Sequence, residues 1–523
     1  MKKFYITTAI DYVNGPPHIG HAYEKISTDV IARHFRQRAE ENFFLTGSDE
    51  HGTKIEKTAA SKNLSPKEFC DQMSGLFKAE WKKMDISYNR FIRTTDEDHK
   101  KVVQHIFKTL LDKGDIYKAS YTGLYCNGCE GFLSARELTE DGLCPDHRTK
   151  PQEVQEENYF FKLTKYKEQL KQHILSNPDF ILPETRVNEV LNQLENTEDI
   201  SVSRSKESVS WGIPVPGDDS QVIYVWIDAL SNYLTGVGYL SNDEMFNKFW
   251  PADVHMIGKD ILKFHSIYWI TLLMAMDLPL PKTILGHGWV TVDESKMGKS
   301  LGNVVSPDYI MNEFKLENPD PIRYFLATNS SFSRDANYSD EEFKSKVNAD
   351  LANNLGNLLN RTLSMLVKYN DGNIIPEAAT PADNEIAKLA EETKLAVMQN
   401  FDKYQLFEAN EAIFKLVNRA NVYVNDEAPW TLAKNPETQT KCAQVLYNVL
   451  EVCRYASIML YPFIPNITQS MWEQLSGEGN ISEQKITSLE WGGLKAGKIT
   501  SKEQIKPVFL RLDSELAGDS KKK

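Results

Sequence analysis

Residues 4–46 read FYITTAIDYVNGPPHIGHAYEKISTDVIARHFRQRAEENFFLT, and this stretch decides the fold. Phe4–Thr8 alternates as a short strand, and the turn residues Gly15–Pro17 follow. From about Gly20 to Glu40 the residues Ile26, Val30 and Phe35 recur at near-helical spacing. Phe43–Thr46 is a second apolar strand. The order strand, helix, strand predicts a βαβ unit feeding a parallel sheet.

Working outward, strand-like runs resume at Val222–Trp226, Val254–Ile257 and Thr283–Leu285, with a helix expected at about Ile261–Met276. Between the two groups of strands, about Tyr117 to Gly217, a cysteine cluster and polar turns break the rhythm. After about Glu341 the pattern turns helical to nearly the end. Leu351, Leu355, Leu358, Leu359, Thr362 and Leu366 form one stripe, and helical runs follow at about Tyr404–Tyr423 and Thr438–Leu460. The expected fold class is α/β: a Rossmann-type parallel sheet domain with an insertion that carries the cysteine cluster, followed by an all-α helical bundle. The expected partition is 1–116 for the first half of the sheet domain, 117–217 for the insertion and 218–290 for the second half. A loop and stem-contact region over 291–345 and a bundle over 346–523 complete it, the latter ending in the Lys-rich tail Lys521–Lys523.

A chain of 523 residues exceeds one compact core, so several domains are expected. Hydrophobic residues at 41% and charged residues at 25% are ordinary for a globular protein. The N-terminus MKKFYITTAIDYVNG is too polar for a signal peptide, and no apolar stretch reaches membrane length. Six cysteines in this length exclude a disulfide scaffold, so a cytoplasmic location is expected. A net charge of −13 argues at face value against a nucleic-acid partner, although a local basic surface can coexist with an acidic whole.

Two distant motifs carry the chemistry. His18-Ile19-Gly20-His21 falls between a strand and a helix N-terminus, where unpaired N–H groups and the positive dipole end suit a phosphate. Gly20 would let a flat adenine approach the backbone. Lys296-Met297-Gly298-Lys299-Ser300 follows the strand Thr283–Leu285 and offers two lysines three residues apart as a clamp for a triphosphate. Each alone is weak, since histidines often sit in turns and a basic loop is often only solvated. Together, in this order and on a βαβ background, they resemble the HIGH and KMSKS signatures of class I aminoacyl-tRNA synthetases. Gly298 departs from the usual serine. The resemblance implies Mg2+-bound ATP as substrate, with His18, His21, Lys296 and Lys299 as catalytic residues. It places Gly20, Gly258 and Asp260 with them at the nucleotide, Asp260 near the ribose.

The likeness extends along essentially the whole chain. Segments 7–12 (TTAIDY), 47–52 (GSDEHG), 210–216 (SWGIPVP), 224–229 (YVWIDA) and 257–265 (IGKDILKFH) are similar to methionyl-tRNA synthetase segments. That family implies that Asp49 holds the α-ammonium of L-methionine. Ala9, Ile10, Tyr12, Trp226, Ala229, Tyr233, Ile261 and His265 would enclose the rest, aromatic rings being suited to a polarisable sulfur. Each aromatic residue would otherwise pass for core. The stretch 117–217 looks too short for the editing domain that relatives selecting small apolar side chains carry.

Cys126-x-x-Cys129 followed by Cys144-x-x-His147 matches structural zinc spacing, three thiolates and one imidazole, and predicts one Zn2+ per chain. With no carboxylate placed beside it as a base, the site reads as structural. On the leucine-striped helix, Asn357 and Arg361 share a face pointing away from the leucines. The plain reading is a solvated polar face. The family resemblance instead assigns this pair, and Trp430 of Ala-Pro-Trp, to reading the anticodon of tRNA(Met).

Two rival readings are a plain nucleotidyltransferase that binds no tRNA and a non-catalytic tRNA-binding relative. The first explains neither the bundle nor the cysteine pattern, and the second does not explain both intact motifs. No membrane association is expected. Because the chain stops soon after the bundle, a monomer is expected.

Overall fold

The computed structural model describes residues 3–38, 40–126, 131–133, 138–145, 148–298, 302–375 and 384–512. Strand β1 (Lys3–Thr8), the short strand β2 (Asp11–Tyr12), helix α1 (Ile19–Gln37), β3 (Glu41–Asp49) and β4 (Arg90–Arg93) form the first half of a parallel sheet. β1 lies between β3 and the strand Val254–Gly258, which pairs in turn with Thr283–His287. Because the chain leaves β1 toward neighbours on both sides, the carboxyl end of β1 is a topological switch point, where α/β sheets bind ligands.

β1 does not alternate between core and solvent as expected. Phe4 through Thr8 are all buried, because both faces of a parallel sheet are covered. Phe4 and Ile6 enter one core and Tyr5 the other. α1 likewise departs from a simple amphipathic helix, for its polar residues Glu24, Lys25, Asp29, Arg33, His34 and Gln37 are buried too. Each meets a partner from elsewhere in the chain. Asp29 accepts from Arg33 at 2.7 Å and from the fully buried Arg323 at 2.8 Å. His34 stacks on Phe401 at 3.8 Å, and Gln37 donates to the Ile458 carbonyl. Burying these charges is tolerable because they are paired, and they join α1 to the helical half.

Several boundaries differ from expectation. The run Val222–Trp226 is not one strand. Asp218–Ile223 is a strand of a separate antiparallel sheet, and Val225–Leu230 is a helix that carries Trp226. The described residues of 117–217 include antiparallel strands and the helices Lys167–Ser176 and Val187–Asn196, yet Ile181–Leu182 from this stretch pairs with Thr283–His287 at the edge of the main sheet. The segment expected as one helix over Ile261–Met276 is a 3-10 turn, a π-turn at Phe264–Trp269 and an α-helix at Ile270–Ala275. Such widened turns often mark functional sites.

Helices Leu406–Glu427 and Gln439–Leu460 agree with the expected runs within a few residues. The leucine stripe is buried from Leu351 to Leu366, although Asn348–Gly356 winds as a π-helix before Asn357–Asn370 becomes α. Among the described residues the last α-helix ends at Gln474, earlier than expected, with only two 3-10 turns beyond it. The following stretch holds Gly477, Gly479, Gly492, Gly493, Gly497 and Pro507, each unfavourable in a helix interior by about 1 kcal/mol for Gly and about 3 for Pro. It packs back through buried Ile481, Ile486, Leu489 and Leu494. Asn348 pins its end by two hydrogen bonds to the Leu512 backbone. Among the described residues no helix is long and apolar enough to cross a membrane.

Candidate active site

Of the expected residues, Ala9, Tyr12, Asp49 and Gly258 stand at or just beyond the carboxyl ends of β1, β2, β3 and the strand Val254–Gly258. The sheet is interrupted at Ala9 and Ile10, between β1 and β2, while Val13 N–H continues the link to Asp49 O. The Ala9 carbonyl, out of the strand ladder, accepts from the buried Lys25 ammonium at 3.0 Å. Lys25 also contacts Asp11 at 2.6 Å and Glu24 at 2.9 Å. Burial alone would raise the Glu24 carboxyl, but Lys25 and the imidazole of His287, 3.1 Å away, hold it below the usual range.

His18 caps α1 with its own ring: Nδ1 accepts from Gly20 N–H at 3.1 Å, while His21 Nδ1 accepts from His18 N–H at 3.2 Å. The two rings stack at 3.8 Å between centroids. Ring and backbone thereby fix each other at the helix N-terminus, where an anion is favoured. A Cβ at Gly20 would stand 3.0 Å from the His18 ring and 3.2 Å from the Met297 methyl. The glycine is thus the point where the two motifs meet, although they lie nearly 280 residues apart.

The loop bearing the second motif is held by Trp289. Lys296 Nζ lies 3.8 Å and Lys259 Nζ 4.1 Å from its ring centroid, as cation–π attraction favours. Its indole N–H reaches Asp260 at 3.2 Å. Asp260 in turn folds back over Gly258, where a Cβ would come within 2.7 Å of the carboxylate. Gly298 N–H donates to Asn303. Lys299 lies outside the described residues, as does Ser300.

The residues expected around methionine are mostly apolar and aromatic. Trp226 stacks on Phe264 at 3.7 Å with planes 5° apart. His265 Nδ1 faces the Ile261 carbonyl at 2.9 Å, so it carries the proton, and Nε2 accepts from Tyr233 OH at 2.7 Å. Burial pushes the His265 imidazole down to about 4, which keeps it neutral at pH 7. Tyr12 pairs in register with Asp49, which is buried at the end of β3. Ala229 and Tyr233 are buried on the short helices Val225–Leu230 and Asn232–Thr235, and Ile261 is half-buried.

The sequence reading missed Trp289, Met297, Phe264 and the Glu24–Lys25–His287 group. Met297 and Phe264 stood inside segments already quoted. Trp289 had only its place after a strand end to mark it.

Farther along the chain, Cys126 and Cys144 are buried, and Cys126 Sγ lies 4.0 Å from Thr149 Oγ1. Cys144 N–H donates to Thr149 O and Arg148 N–H to Cys144 O. Thr149 is thus bonded to Cys144 and approaches Cys126. Cys129 and His147 lie outside the described residues. On the bundle, Asn357 is exposed, Arg361 Nη1 reaches Asn425 at 3.3 Å, and Trp430 is exposed just beyond the end of that helix.

The family model of class I tRNA synthetases (M) matches residues 4–156 and 147–363, and that of the anticodon-binding domain of tRNA ligase matches 383–508. The chain is 45% identical to the methionine–tRNA ligase of Clostridium acetobutylicum over 98% of its own length and 78% of that protein. It is 47% identical to that of Clostridium perfringens, over 98% and 79%. Methionyl-tRNA synthetase of Mycobacterium tuberculosis, in complex with methionyl-adenylate, superposes with a TM-score of 0.90 at 37% identity, covering 98% of this chain and 100% of that one. With the two signature motifs meeting at Gly20 and the match running through both halves, the chain belongs to the methionine–tRNA ligase family of class I tRNA synthetases.

Proposed function

We propose that this enzyme activates L-methionine with ATP to methionyl-adenylate and transfers methionine to the 3′ end of tRNA(Met), releasing pyrophosphate and AMP. The observation that carries the reading is the convergence of His18, Gly20 and His21 with Met297 at the sheet's switch point. A methionine carboxylate oxygen attacks the α-phosphorus, and the bond from that phosphorus to the β-phosphate oxygen breaks. Both reactants are anionic, so the protein supplies position and positive charge rather than a base. His18 and His21 face the phosphates from the helix N-terminus, and Lys296 and Lys299 take up charge on the departing pyrophosphate. Mg2+, bound to the ATP phosphates, supplies further charge neutralisation. Gly258 and Asp260 lie at the ribose.

Asp49 holds the ammonium, while Ala9, Ile10, Tyr12, Trp226, Ala229, Tyr233, Ile261 and His265 enclose the side chain. Because Tyr233 OH is already committed to His265 Nε2 and His265 Nδ1–H to the Ile261 carbonyl, a hydroxyl or charged side chain would find poor hydrogen-bonding partners there. A thioether loses little.

In this reading the stretch 117–217 is a connective insertion tied by one structural Zn2+ on Cys126, Cys129, Cys144 and His147. The burial of Cys126 and Cys144, both beside Thr149, supports that donor set. Metal analysis of freshly purified protein should give one zinc per chain, lost in Cys126→Ser and Cys144→Ser. A zinc-free wild type would refute it. Asn357, Arg361 and Trp430 read the anticodon. The test of the reaction is pyrophosphate exchange with each of the twenty amino acids: methionine alone should support rapid exchange. Equal exchange with another amino acid, or none with methionine, would overturn the assignment.

A further inference from the structure

The helices Val225–Leu230 and Asn232–Thr235 present two faces. Trp226 stacks on Phe264 and Tyr233 donates to His265, among the residues expected around methionine, whereas Asp228 meets His51 and His99, and Thr235 meets His99. Asp228 is buried, and each of its oxygens meets a different histidine. Oδ2 lies 2.6 Å from His51 Nδ1, and Oδ1 lies 2.8 Å from His99 Nε2. His99 Nδ1 then reaches Thr235 Oγ1 at 3.1 Å. Burial alone would raise the Asp228 carboxyl, yet the two imidazoles hold it below the usual range.

The three residues come from three places. His51 lies two residues beyond Asp49 at the end of β3, Asp228 two beyond Trp226, and His99 on the helix Glu97–Asp112. Glu50, between Asp49 and His51, is itself fixed by Arg93, Ser48, Ser74 and Thr95. The β3 end is therefore a firm base. The bond from His51 to Asp228 is a direct tie from that base to the helix bearing the aromatic wall.

We propose that His51, Asp228 and His99 are positioning residues that set the distance between the Asp49 carboxylate and the Trp226–Ala229–Tyr233 wall. They thereby govern amino-acid affinity without touching substrate. The proposal rests on the methionine-ligase reading of the pocket. Buried groups hydrogen-bonded at both ends hold a geometry more tightly than packing alone, and a misplacement of about 1 Å in a substrate site is costly.

The test uses the full chain. Pyrophosphate exchange gives KM for methionine and for ATP, and intrinsic tryptophan fluorescence gives methionine affinity directly. Asp228→Asn should raise the methionine KM and Kd about tenfold or more, with the ATP KM within about twofold of wild type. His99→Ala should shift methionine affinity in the same direction. His99→Gln, whose amide can still donate to Asp228, should recover part of the loss. This second pair decides the matter even if Asp228→Asn fails to fold. Unshifted methionine affinity in the variants that fold would overturn the proposal, as would parallel changes in both KM values and kcat. A wild type without methionine-dependent exchange would instead defeat the functional reading beneath it.

Discussion

In the cleft, His18, His21, Tyr233 and His265 are each fixed by a hydrogen bond or ring contact to a neighbouring group. On the bundle face, Asn357 and Trp430 stand exposed and Arg361 reaches a neighbouring helix at 3.3 Å. The two regions solve different problems. Stabilising charge in a transition state requires groups that need not reorganise when the charge appears. Reading a base requires side chains open to an incoming partner, which they meet by stacking and edge contacts. All eleven histidines lie before residue 288, and the bundle has none. Histidine chemistry is thus confined to the part of the chain before the bundle.

The largest effect that would sharpen this contrast comes from the lysine loop. Lys296→Ala should lower the exchange rate by about a hundredfold to a thousandfold, the usual cost of one lost transition-state donor, while methionine affinity by fluorescence stays near wild type. Lys299→Ala should behave alike. A variant with unchanged exchange would show that Trp289 parks this lysine away from the phosphates.

A comparable effect is expected on stability. His265 falls from an ordinary 6.5 to about 4 on folding, so between those pH values the unfolded chain binds the extra proton. Stability from this group is intact above about pH 6.5 and is lost as pH falls toward 4, by about 3 kcal/mol in all. Burial acts on His34 and His255 in the same direction. Asp11, lifted to about 7 chiefly by burial, opposes them, so the difference between wild type and His265→Gln isolates the term. Denaturant titrations at pH 7 and pH 4 should show that difference shrinking toward acid. A constant difference would mean that His265 is solvated.

Asp49→Asn should weaken methionine about a hundredfold at most, since a charge-assisted hydrogen bond contributes about 1.5–3 kcal/mol, with ATP binding little changed. Equal weakening of both substrates would place Asp49 in the scaffold rather than at the ammonium.

How much of this was legible depended on the distance over which each signal acts. β1, β3 and the strands at Val254 and Thr283 were readable because a short apolar run bounded by turn residues is a local pattern. Ile181–Leu182 was not, because two residues before a proline become a strand only by finding Thr283–His287. Trp226 was read as part of a strand but lies in a helix, since Val222–Trp226 is equally apolar on either side of the strand–helix boundary. The two signature motifs declared themselves by composition. Asp228 and its histidines could not, being 177 and 129 residues apart in the chain with ordinary neighbours. The face carrying Asn357 and Arg361 was predictable as outward, because the leucine stripe fixed the inward side.

The separation of chemistry from reading is tested most directly by Trp430→Ala, assayed in parallel for methionine-dependent pyrophosphate exchange and for aminoacylation of tRNA(Met) with native and altered anticodons. Exchange should remain within about twofold of wild type. Aminoacylation of the native tRNA should fall about tenfold to a hundredfold, as a lost stacking contact of about 1–3 kcal/mol implies, and discrimination against the altered anticodons should shrink. A variant that discriminates as well as wild type, or that loses exchange and aminoacylation together, would contradict the account.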